Sequence, residues 1–168
     1  MKIEIKNVKY VESLSEETLC FTATIYFDGK RLGGVSNRGC GGCHEYDFHF
    51  SDVEKMEAWC VENLPKCTCD WDEKEFDTDL EMHISHLVQD YLNERDAKKL
   101  FKKYAYFKND DCADNEVIRF TFDKNPLANS DASRKLQIEH IFTRLDSSKN
   151  PFSLNVLPIS EATNFLFS

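Results

Sequence analysis

Residues 2–11, KIEIKNVKYV, alternate apolar and polar side chains and predict a strand of period two. The next run, LCFTATIYFDGKRLGGVSN, predicts a hairpin. Leu19, Phe21, Ala23, Ile25 and Phe27 fall on one face, and Asp28-Gly29 is a strong two-residue turn signal. YDFHF, from Tyr46 to Phe50, alternates aromatic residues and predicts another short strand or an extended lead-in.

The period then lengthens. Ser51 opens SDVE, a capping box with Glu54 at the third helical position, and Val53, Met56, Cys60 and Leu64 recur at helical spacing before Pro65. KCTCDWDEKEFD has no period and predicts a loop. Thr78 opens a second capping box, TDLE. Leu80, Ile84, Leu87, Val88, Tyr91 and Leu92 then form the apolar stripe of an amphipathic helix, with helical character resuming through AKKLFKKY. YAYFK and VIRFTFDK predict two strands joined by a polar loop that holds Cys112. DASRKLQIEHIFTRL predicts a helix capped by Ser130 or Asp131. SLNVL predicts a short strand, and Pro158 introduces a last helix, ISEATNFLF. The fold class expected is α+β: an N-terminal antiparallel β-meander packed against helices, further C-terminal strands and a short terminal helix. A single domain over 1–168 is expected, and the loop at 66–77 is the one internal boundary the pattern offers.

Charge changes the picture most in the middle of the chain. The total is -9, but 45–94 holds fifteen acids against three lysines, a net of -12. A basic run, RDAKKLFKK, follows from Arg95 to Lys103. The overall sign disfavours direct nucleic-acid binding, which needs a basic surface. An acidic half suits a basic protein partner, and its plainer role is a solvated face that aids solubility. No long apolar run occurs, so neither an export signal nor a membrane helix is expected, and the cytoplasm is the expected compartment. There the seven cysteines should be thiols or metal ligands rather than disulfides.

Candidate chemistry centres on SNRGCGGCHEY, residues 36–46. All six glycines lie between Gly29 and Gly42. CGGCH fits the haem-attachment pattern, but covalent attachment normally takes place after export. Cys40 and Cys43, followed by Cys67 and Cys69, supply four thiols in two pairs for a tetrahedral Zn²⁺, with His44 as a substitute ligand. The second pair is one residue closer than standard spacing. A catalytic Cys43 is a further alternative; the adjacent His44 is poorly placed to activate it, and His49, His83, His86 or His140 would have to serve as base. Asp79, His83, His86 and Asp90 share about 60° of helix arc and could hold a divalent metal, although a solvated polar face explains them as well. Gly39 to Gly42 could present N–H groups to an anion. The simplest reading of the cluster is a structural turn with free thiols and no cofactor, in which glycine supplies positive φ.

Ser15 to Tyr46, SEETLCFTATIYFDGKRLGGVSNRGCGGCHEY, resembles the opening of a family of small uncharacterised phage and prophage proteins. The shared pattern is Ser-Glu-Glu-Thr, an alternating strand, Asp-Gly-Lys, Val-Ser-Asn and a Gly-rich turn. The tail SLNVLPISEATNFLF is similar to that family's strand-then-helix ending. The resemblance covers roughly half the chain, and KCTCDW departs from it. It implies a mobile-element origin and carries no known activity or catalytic residue. Together with the acidic segment, it leads to the expectation of a non-enzymatic accessory protein that binds a basic host protein, such as a defence or nucleic-acid-handling factor. A zinc module on Cys40, Cys43, Cys67 and Cys69 is the alternative, and a cysteine-nucleophile enzyme the second.

Overall fold

The computed structural model describes residues 2–68, 74–113, 116–122, 130–145 and 147–167. The fold is α+β, and the chain clusters into two compact units, Met1–Tyr91 and Leu92–Ser168. The division falls inside a helix rather than in the 66–77 segment.

In the first unit, β1 (Ile3–Tyr10), β2 (Phe21–Phe27), β3 (Lys30–Asn37) and β4 (Glu45–Asp47) form an antiparallel sheet in sequence order. Asp28 and Gly29 both adopt positive φ, 52° and 78°, as the expected two-residue turn requires. β2 alternates as the sequence predicts: Phe21, Ala23 and Ile25 are buried, and Thr22 is exposed. Across the β3–β2 ladder Ala23 faces Val35, and both are buried. The aromatic run YDFHF begins in a short strand, since Tyr46 and Asp47 belong to β4, and its remainder leads into the next helix. β4 ends at Asp47, and α1 (Phe50–Asn63) begins three residues later.

The capping box at Ser51 does not form. His49 is the N-cap of α1 without a side-chain cap bond, and Ser51 lies within the helix. Met56 and Cys60 are its buried positions. The segment expected as a plain loop pairs instead, β5 (Cys67–Thr68) with β6 (Glu75–Phe76). α2 then runs unbroken from Leu80 to Phe101. Leu80, Ile84 and Val88 are fully buried in the first unit, whereas Leu87 is half-buried and Tyr91 is 42% exposed. The apolar stripe is therefore narrower than its sequence suggests.

The second unit has a three-stranded sheet, β8 (Ile118–Thr121), β7 (Tyr104–Lys108) and β9 (Phe152–Ser153), with β7 in the middle. A central strand is covered on both faces, and YAYFK shows how. Ala105 and Phe107 pack with Phe122 against Ile138 and Ile141 of α3 (Asp131–Phe142). Tyr106 points the other way, to Leu154 and to Ala162 of α4 (Ile159–Leu166). Ser130 caps α3 by accepting from the Ser133 N–H. The expected strand SLNVL shortens for a visible reason. After Ser153 the backbone winds into a 3-10 turn, and the Asn155 carboxamide continues the ladder, accepting from Tyr106 N–H at 2.6 Å and donating to Tyr104 C=O at 3.0 Å. Among the described residues no helix is long and apolar enough to cross a membrane.

Burial that is complete at Ile84 and partial at Tyr91 sets up a comparison. Ile84→Ala should lower unfolding free energy by about 2–5 kcal/mol, and Tyr91→Ala by under about 1 kcal/mol. Urea denaturation of the two variants measures both, and equal losses would mean the stripe is packed along its whole width.

Candidate functional site

The glycine cluster is a built turn. It joins β3 to β4 where Ser36 pairs with Glu45, and Gly39, Gly41 and Gly42 all have positive φ, 87°, 74° and 119°. The organising group is the Asn37 side chain, which is buried at the end of β3. Its Oδ1 accepts from the Gly39 N–H at 2.8 Å and the Thr18 hydroxyl at 2.7 Å, and its Nδ2 donates to Gly42 C=O at 2.9 Å. The Gly39 carbonyl in turn accepts from three successive amides, Glu16, Glu17 and Thr18, at 2.8–3.2 Å. The anion nest is expected from the N–H groups of Gly39 to Gly42; the three amides that converge here are those of 16–18, and they hold the Gly39 carbonyl. A Cβ at Gly39 would lie 2.0 Å from the Leu14 carbonyl oxygen, so only glycine fits there.

Cys40 and Cys43 project from this turn and are exposed, whereas His44 is only 8% exposed. The His44 ring meets Phe21 edge-on at 5.2 Å, its Nε2 lies 3.5 Å from Ser85 Oγ, and its Nδ1 is buried without a hydrogen-bond partner. Burial lowers the His44 pKa, against an opposing pull from Glu81 and Asp79. At Cys43 the Glu81 carboxylate is a neighbour and hydrogen-bond acceptor, and it raises the thiol's pKa. That is the reverse of what activates a cysteine nucleophile.

Glu81 belongs to an acidic group at the start of α2. Asp79 Oδ1 accepts from the Met82 N–H at 2.7 Å, and Glu57 Oε2 of α1 reaches across to the Leu80 N–H at 2.9 Å. Carboxylates at this end satisfy orphan amides and oppose the positive pole of the helix. The cap predicted at Thr78 is displaced by one residue because the Thr78 hydroxyl is buried and donates to Pro65 C=O at 2.6 Å. Tyr46 feels the same cluster. Burial first, then Glu81, Glu57 and Asp79, push its hydroxyl far above the usual range. Cys60 is pushed up to about 12 by burial, with Glu57 and Asp79 adding to it.

Of the predicted zinc ligands, Cys43 and Cys67 lie near residues of this helix start, Glu81 and Met82. Cys67 is half-buried, with its Sγ 3.2 Å from Thr78 Oγ1 and 3.3 Å from Met82 Sδ. Cys40 Sγ lies 3.8 Å from the Arg38 carbonyl, and Cys69 lies outside the described residues. On α2, Asp79 is occupied as a cap, His83 lies against Trp59 at 6.2 Å, and His86 and Asp90 are exposed. Among the described residues no three His, Cys, Asp or Glu side chains gather for a metal ion. Of the bases considered for a catalytic cysteine, His49 caps α1 and His140 is exposed on α3. The burial of His44 and the capping by Glu57 had no local signal in the sequence. In the second unit an apolar groove of about 400 Å³ is lined by Ile138, Phe142, Phe152 and Val156. Comparison with protein-family models, with curated proteins and with solved structures gives no match.

Two outcomes follow from the turn. Gly39→Ala should cost about 3 kcal/mol or more, because backbone strain and a backbone collision add. Gly29→Ala, which has positive φ but open space at its Cβ, should cost about 1 kcal/mol. Denaturant titration separates them, and equal costs would remove the collision from the account. The second outcome concerns pH. A histidine whose folded pKa is lowered binds its proton more readily when unfolded. Its stability contribution is therefore complete above about pH 6.5 and is lost as pH falls toward the folded value. Unfolding free energy should drop from pH 7 to pH 5, and by less in His44→Leu; an identical drop in that variant would show that His44 does not cause it.

Proposed function

We propose that the chain is a non-enzymatic accessory protein of phage type that acts by binding a basic surface on a host protein. The observation that supports this reading most is the charge of the first unit. Met1–Tyr91 carries a formal -10 and Leu92–Ser168 carries +1. Of the cations in the acidic stretch, Lys55 is paired with Asp52 and Lys66 with Asp77. Asp47, Glu54, Glu62 and Glu75 are exposed, and Glu57, Asp79 and Glu81 add negative field felt at Tyr46. Such a field speeds encounter with a basic partner and repels acidic ones. Proteins that handle nucleic acids carry basic phosphate-binding surfaces, so a defence or nucleic-acid-handling factor is the class of target proposed, and the acidic segment competes with its nucleic acid. The raised pKa of Cys43 favours binding over cysteine catalysis; selective loss of function in a folded Cys43→Ser protein would reverse that preference.

A zinc module remains the second reading, because Cys43 and Cys67 approach consecutive residues of α2, Glu81 and Met82. One equivalent of zinc, lost in Cys40→Ser/Cys43→Ser, would establish it; the binding reading expects metal-free thiols.

The charge reading is tested on a partner captured from host lysate, identified and then purified. Replacing Asp47, Glu54, Glu62 and Glu75 by their amides should weaken its binding at least about tenfold at low salt, and high salt should largely erase the difference. Unchanged affinity in the fourfold variant would overturn the electrostatic account.

A further inference from the structure

Cys40 and Cys43 share a geometry that neither a plain turn nor a binding face requires. Both thiols are exposed, while Cys20, Cys67 and Cys112 are half-buried and Cys60 is buried. They are separated by Gly41-Gly42, both with positive φ and without side chains to obstruct closure. One carboxamide holds both ends of the segment. Asn37 accepts from the N–H of Gly39, next to Cys40, and donates to the C=O of Gly42, next to Cys43. The chain between those bonds turns back between β3 and β4, where Ser36 pairs with Glu45, and a disulfide needs such a turn because it joins Cα atoms roughly 4.4–6.8 Å apart. We propose that Cys40 and Cys43 form a reversible intramolecular disulfide, whose oxidant is a small-molecule disulfide of the glutathione class.

The reaction is thiol–disulfide exchange in two steps. The Cys40 thiol loses its proton, and its sulfur attacks one sulfur of the external disulfide. The external S–S bond breaks, a mixed disulfide forms on Cys40, and the first small thiolate leaves and takes up a proton. Cys43 then loses its proton and attacks the Cys40 sulfur. The mixed disulfide breaks, the Cys40–Cys43 bond forms, and the second small thiolate leaves and is protonated. Two protein thiols are oxidised by two electrons, and one disulfide is reduced to two thiols. Both thiols are exposed, so either sulfur can make the first attack in the same way, and proximity drives the second. This inference does not depend on the binding reading.

The test uses the full chain in a chelating buffer, treated with excess oxidised glutathione and analysed by intact mass and peptide mapping. The expected product is two hydrogens lighter, links Cys40 to Cys43, keeps its circular dichroism and reverts with dithiothreitol. Cys43→Ser should stop at a glutathione adduct on Cys40. Overturning results are stable adducts on both residues, both thiols still free at equilibrium, or a folded product that links either cysteine elsewhere.

Discussion

One buried carboxamide fixes the part of this protein where its chemistry is concentrated. Asn37 is the last residue of β3, and a polar group buried there must be fully bonded or cost about 1–3 kcal/mol for each unmet partner. Its oxygen and nitrogen meet Thr18, Gly39 and Gly42. Those bonds bend the chain tightly enough to demand positive φ, and they carry the Gly39 carbonyl to the three amides of 16–18. The segment before β2 and the segment after β3 are thereby tied together at the end of the sheet. Cys40, Cys43 and His44 take their positions from that tie: two thiols outward, one imidazole inward against Phe21.

The acidic start of α2 serves two purposes that share residues. Asp79 and Glu57 are structural, since each accepts from an amide of the first helical turn. Glu81 acts on its surroundings, raising the Cys43 thiol and contributing to the rise at Tyr46. Exposed carboxylates on α1 and β4 add to the same field without any capping duty. Neutralising those outer groups leaves the helix cap intact, whereas replacing Glu57 would remove a partner that a half-buried amide needs.

Elements governed by local pattern were legible in the sequence. Asp28-Gly29 marked its hairpin because a two-residue turn admits few residue types, Ser130-Asp131 marked the start of α3, and the glycine cluster marked positive φ, which Gly39, Gly41 and Gly42 adopt. Features that depend on a distant partner were not legible. Ser51 and Thr78 both looked like caps, yet α1 starts at His49 without side-chain help, and Thr78 turns to Pro65 instead. α2 is capped partly by Glu57, 23 residues earlier. SLNVL reads as a strand, but only its Ser153 belongs to β9, and the Asn155 side chain takes over the ladder. At the candidate site, spacing identified the cysteines, but only the fold shows that Cys43 faces a carboxylate and that His44 is buried.

Hydrogen exchange at the Gly39 amide tests the central constraint most directly. That N–H is held by Asn37 Oδ1 in a residue that is itself buried. The account predicts strong protection in the wild type and its collapse in Asn37→Ala, while amides of the β2–β3 ladder remain protected. A Gly39 amide that exchanges as fast as one in an unstructured peptide, or that is equally protected in both proteins, would contradict it.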